Sequence, residues 1–170
     1  MTDELIKNIK SDFRKYLYEE SCHRVEKCLN YLNPEELWHK PNENSNSMGV
    51  IVVQLMGNIT QYIISALGQE EDTRQRDTEF EQKPELDSHQ LTQSFRDVVL
   101  KACRVVEGLS GEQINRKYSV QGFEMTGLSI ITHVIEHCSY HVGQITYFTK
   151  LVKDIDMAYY GDLDLNQLNE

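Results

Sequence analysis

Between Glu43 and Glu70 the chain carries no charged residue. A run of that length must either cross a lipid bilayer or be wrapped by the rest of the protein. Gln54, Asn58, Thr60, Gln61 and Ser65 interrupt it, too many polar groups for a lone helix in lipid. A soluble helix buried on most sides is the reading that fits. Its opening, Gly49-Val50-Ile51-Val52-Val53, is β-branched and would suit a strand. Leu55, Ile59, Tyr62, Ile63, Ala66 and Leu67 continue at helical period, however. Ser47 is the expected N-cap and Gly68 the expected stop.

Three more helical patterns surround this one. Leu5, Ile9, Phe13, Tyr16, Leu17, Cys28 and Leu32 are helically spaced over about Asp3 to Tyr31. Asn33-Pro34 ends that helix, because proline clashes with a preceding turn, and Pro34-Glu35-Glu36 opens a short turn reaching Trp38, a core plug. A third pattern, capped by Asp87 or Ser88, carries Leu91, Phe95, Val98, Val99, Ala102 and Val106 and stops at Gly108. The fourth runs from about Thr126 to Lys153. Gln69 to Asp87, charged and containing Pro84, reads as a long exposed loop, and Ser110 to Met125 as a second connection. The expectation is an all-α domain over residues 1–153 and an acidic C-terminal tail over residues 154–170. That tail has no Lys or Arg, and its Tyr159-Tyr160 pair can dock on the helices.

With 170 residues, 39% hydrophobic and 26% charged, one globular domain with a real core is expected. The formal net charge of -10 argues against a nucleic-acid partner and against docking on an anionic membrane. Residues 1–30 are rich in Lys, Asp and Glu where a signal peptide needs an apolar run. Cys22, Cys28, Cys103 and Cys138 show no CxxC spacing, so free thiols in a cytoplasmic protein are expected.

His133, His137 and His141 are spaced by four in the last helix. Each is rotated about 40° from the previous one and sits about 6 Å further along the axis, so the three share a face. His133 and His141, about 12 Å apart along the axis, are too far apart to ligate one ion. Two neighbours can do so, with a third ligand from another helix. The same face carries Ile130, Val134, Gln144, Phe148 and Leu151 and points inward. Spacing alone leaves two readings open, core histidines satisfied by hydrogen bonds or metal ligands. No Glu directly follows His133 or His137, which excludes the HExxH arrangement of zinc peptidases.

Gln54, Asn58, Gln61 and Ser65 form a narrow polar stripe on the uncharged helix. A solvated edge would carry Lys or Glu, so neutral amides point to a cleft or an interface. Gly143 is expected to admit a close neighbouring helix. Gln144 is expected to orient a ligand from behind, and Tyr140 and Tyr147 to flank the cleft. Cys138 turns away from the histidine face, and Glu136 is the nearest carboxylate. His23, His39 and His89 are expected in solvent.

Leu37-Trp38-His39-Lys40-Pro41-Asn42, then Ser47, then Gln54-Leu55-Met56-Gly57-Asn58 resemble the "LW..PN…S…HLAGN" region of the DinB-like (YfiT-like) metalloenzyme superfamily. Arg76-Asp77-Thr78-Glu79-Phe80 looks like that family's "R…EF" loop. The stretch from His133 to Ile145 is similar to its "H…H..YH.GQI" signature. The resemblance covers residues 3–153 in order. It implies a four-helix bundle with long loops, often a homodimer. It also implies one divalent metal (Zn, Ni or Mn) held by three histidines, and a metal-dependent hydrolase or thiol transferase acting on a small molecule, a thiol among the candidates. His137 and His141 match the HxxxH pair, with His133, Gln144, Asn58 and Tyr140 in the second shell or cleft. Gln54 stands where the first histidine belongs. Its neutral carbonyl is a weaker donor than imidazole, which leaves loose binding, a harder ion such as Mn²⁺, or a metal-free dimeric binding or interaction module as the alternatives.

Overall fold

The computed structural model describes residues 2–161 and 163–168. Asp162, Asn169 and Glu170 of the expected acidic tail lie outside them. Helix α1 spans residues 3–31, α-helical over Asp3–Arg14 and His23–Tyr31 and wound as a wider π-helix over Lys15–Cys22. Ser21 fills the widened turn, its hydroxyl donating to Tyr16 O at 2.7 Å. Helix α2 is Pro34–Trp38, started by Asn33 in a capping box with Glu36. Helix α3 is Met48–Leu67, α-helical to Ile59 and π-helical from Thr60. A 3₁₀ turn at Arg76–Phe80 precedes α4, Ser88–Gly108, which Asp87 caps. Helix α5 (Gly111–Asn115), strands β1 (Lys117–Val120) and β2 (Phe123–Thr126), and helix α6 (Gly127–Lys153) complete the chain.

Helix α1 packs on α4 and α6, and α3 packs on the same two. Phe13, Leu17 and Leu29, Leu55, Ile59 and Ile63, Leu91 and Phe95, and Ile130 fill the space between them, all essentially without solvent exposure. Helix α3 is apolar and long enough to cross a membrane by composition, yet most of its apolar window is buried within this chain. The chain is mostly helical, and the all-α expectation needs one amendment. Residues 117–126 form an antiparallel hairpin, with Lys117 opposite Thr126 and Val120 opposite Phe123. Its two-residue turn, Gln121-Gly122, has φ of 52° and 81°, the left-handed pair that a tight hairpin twist requires.

Two glycines hold α3 in place. A Cβ on Gly49 would lie 2.6 Å from the Trp38 ring, so the glycine makes room for the plug, whose indole N–H donates to Leu86 O at 2.9 Å. Gly68 ends α3 as expected but by crowding rather than by left-handed freedom. Its φ is -80° and a Cβ would meet Ile64 O at 2.4 Å, while Gln69 takes the positive φ of 60°. Beyond α6, Met157 is buried, and the Tyr159 hydroxyl meets Thr146 Oγ1 at 2.8 Å and Cys28 Sγ at 3.2 Å.

Candidate functional site

The three histidines of α6 stack along one face because the helix repeat places them on successive turns. The His133 and His137 rings are 5.5 Å apart between centroids and inclined by 19°. The His137 and His141 rings are 4.6 Å apart and nearly perpendicular, at 86°. Helix α3 presents Tyr62, whose ring lies 4.5 Å from that of His133, and Asn58, whose Nδ2 is 3.5 Å from His133 Nε2. Gln54, Asn58, Tyr62 and the three histidines line one cavity of about 380 Å³, together with Arg74, Arg76 and Phe80 from the loop and Gln121 and Phe123 from the hairpin.

Burial is the main force on the imidazoles. It drives His137 from 6.5 down to about 4, with His141, His133 and Arg74 adding to the fall. Burial lowers His133 and His141 as well, opposed for His133 by Glu136 and for His141 by Gln144 and Glu136. The rings are therefore neutral near pH 7, each with one nitrogen lone pair. His141 Nδ1 lies 2.7 Å from Gln144 Oε1. The carbonyl accepts its proton and leaves Nε2 as the free lone pair. Gln54 Nε2 and Asn58 Oδ1 are buried without hydrogen-bond partners, an uncommon state that a ligand would relieve.

The loop after α3 is largely exposed, as its charge suggested, but two of its charged side chains are not. Arg74 donates from Nε to Glu79 Oε1 at 2.7 Å, from Nη2 to Glu79 Oε2 at 2.8 Å and from Nη1 to Gln61 Oε1 at 2.9 Å. The Arg74 and Glu79 side chains are 7% and 9% exposed, so this is a buried fork. Gly57 makes it possible, since a Cβ there would sit 1.9 Å from Glu79 Oε1. Gln61 also donates to Asp72 at 2.7 Å, and Ser65 to Glu71 O at 3.4 Å. The polar stripe of α3 is thus covered by this loop at one end and opens on the cavity at the other.

Gln54, Asn58, His133, His137 and His141 come together in the cavity, while Gln144 stands behind His141. Tyr140 lies elsewhere. It is 60% exposed, edge-on to His141 at 5.1 Å, and lines a separate groove with Tyr16, Arg24 and Glu136. Glu136 is therefore not placed as a base toward the histidine cavity. Tyr147 is exposed too, and a Cβ on Gly143 would meet nothing within 4 Å, so that glycine accommodates no neighbour within the chain. His23, His39 and His89 are exposed, and all four cysteines are free and buried. Burial raises the Cys138 thiol to about 11, which leaves it inert. Among the described residues no group of three or more His, Cys, Asp or Glu side chains is arranged to hold a metal ion.

Sequence reading missed Arg74, Gln121 and Phe123. The hairpin was signalled by Gln121-Gly122 between alternating residues. Its turn lets Gln121 Oε1 accept from the Tyr62 hydroxyl at 2.8 Å. Arg74 carries no local signal, because its burial depends on Glu79 and Gly57.

Solved structures share the fold of this helical scaffold. A DinB-like protein from Bacillus cereus ATCC 10987 superposes with a TM-score of 0.63 at 15% identity, covering 79% of this chain and 87% of that one. The DinB-like protein YjoA from Bacillus subtilis superposes with a TM-score of 0.64 at 16% identity, covering 88% and 94%. No curated protein matches the sequence. The chain belongs to the family described as proteins of unknown function, DUF1572, which matches residues 1–160.

Proposed function

We propose that the cavity is the metal and substrate site of a small-molecule enzyme on a DinB-type four-helix bundle, with His137 and His141 as imidazole ligands and Gln54 as the third donor. The observation that carries this reading is the meeting, in one cavity, of neutral imidazoles one turn apart with a buried amide that lacks a partner. The donor set fits a divalent ion such as Zn²⁺, Ni²⁺ or Mn²⁺. Neutral imidazole is the ligating form, and an amide with an unbonded nitrogen is free to turn its carbonyl oxygen toward a cation. When bound, such an ion lowers the pKa of a water or thiol, the chemistry of hydrolysis or thiol transfer.

The chain's own residues supply the rest. Gln144 fixes the His141 tautomer. Tyr62, raised by burial against the opposing pull of Arg74, keeps its hydroxyl protonated, and Gln121 orients it. We read the protein as a cytoplasmic homodimer with no nucleic-acid or membrane partner. The test is metal content after purification without chelator, followed by Zn²⁺ titration. A stoichiometric ion, or saturable Zn²⁺ binding lost in His141→Ala, is the first and expected result; the second, no bound ion and no saturable Zn²⁺ binding, overturns the reading. The amide at position 54 favours the rival, a metal-free dimeric binding or interaction module, which predicts that second result.

A further inference from the structure

We infer that the cavity takes a small molecule bearing an oxyanion, a carboxylate or a phosphate, held by Arg76 with Arg74 behind it; this rests on the same cavity being the substrate site. The chain has 27 Asp and Glu against 17 Lys and Arg, yet the cavity lining includes two arginines and no carboxylate. Such a reversal of sign inside an acidic protein focuses an attractive potential on one concave spot.

The two arginines are not equivalent. Arg74 is spent on Glu79 and Gln61, but three hydrogen bonds use only three of the five N–H groups of a guanidinium. Its side chain lines the cavity together with Arg76. Arg76 makes no ion pair among the described residues, and its guanidinium lies 5.0 Å over the Phe80 ring. A guanidinium stacked on an aromatic face keeps its in-plane donors available, the geometry suited to forked binding of a carboxylate or phosphate. The other polar groups lining the cavity are amides, imidazoles and the Tyr62 hydroxyl, none of them a carboxylate. Arg76 itself is exposed at the cavity mouth, while Arg74 is 7% exposed and held in place by its fork with Glu79 over Gly57.

The experiment is calorimetric titration at low ionic strength with two probes, inorganic phosphate and succinate, on chelator-treated and on Zn²⁺-treated protein. Saturable binding of either probe in either form is expected, weakened at least about tenfold in Arg76→Gln. Phosphate alone, succinate alone, or both would identify the oxyanion. Arg76→Gln is expected to bind Zn²⁺ as the wild type does, and His141→Ala to retain the anion. A protein that takes the anion but no Zn²⁺ would therefore sink the metal reading and leave this one standing. No binding of either probe in either form, or equal binding by wild type and Arg76→Gln, overturns the inference.

Discussion

Position 54 decides what the histidine face can do. Imidazole is a stronger donor than an amide carbonyl to Zn²⁺ and Ni²⁺, and His137 and His141 already stand one turn apart on a rigid helix. Gln54→His is therefore expected to bind Zn²⁺ about ten times more tightly than wild type or better, and His141→Ala to bind weakest. Equal affinities in a calorimetric titration would place any bound ion elsewhere. The histidines also make stability depend on pH. His137 has an ordinary value of 6.5 in the unfolded chain and about 4 in the fold. Above pH 6.5 neither state holds the proton. Between 6.5 and about 4 the unfolded chain takes it up while the native state does not, so stability falls as pH drops through that window. With the ring partly open to solvent, the loss is about 1–2 kcal/mol. Urea midpoints for His137→Gln should fall less than those of wild type between pH 7 and 4; parallel curves would mean that burial does not hold this ring neutral. The shared face of the histidines could be read from their spacing by four. The partnerless nitrogen of Gln54 could not, because it depends on what surrounds it from other elements.

Elements that are regular by themselves were legible, and those that depend on a distant partner were not. Ser47, Asp87 and Pro34 mark helix starts through local chemistry, and each starts a helix where expected. The 3₁₀ turn at Arg76–Phe80 and the segment before it are mostly the exposed loop they look like, but Arg74 and Glu79 within them balance each other only in three dimensions. The Arg74–Glu79 fork draws the loop onto α3 over Gly57, with both charges out of water. Removing either partner from such a buried pair leaves an uncompensated charge and costs about 3–5 kcal/mol. Gly57→Ala should do similar damage without touching a charged residue, because its Cβ would occupy the position of Glu79 Oε1. The expected result is a denaturation midpoint lowered as far as in Glu79→Gln, with little further loss in the double variant, since both changes break the same contact. Full additivity would show that Gly57 acts elsewhere.

At the scale of the whole molecule, the uncharged helix α3 would call for a second copy of the chain if one core could not cover it. That ground fails: Val50, Ile51, Val52, Val53 and Leu55 are all buried within a single chain. One group of uncovered large side chains lies on α6 instead. Tyr140, Tyr147 and Leu151 are 60%, 71% and 66% exposed. They fall with Gly143 on one helical face, and Gly143 has open space in front of it. Large aromatic and aliphatic side chains grouped on one face, beside a glycine that lets another backbone approach, suit a self-complementary contact. A homodimer through α6 is therefore the expected state, and light scattering across a dilution series measures it directly. Tyr147→Glu should shift the protein to monomer at concentrations where wild type is dimeric, because a desolvated carboxylate facing its own copy carries both a burial cost and a repulsion. Wild type monomeric at every concentration would defeat the expectation. A dimer unaffected by Tyr147→Glu would move the contact off this face.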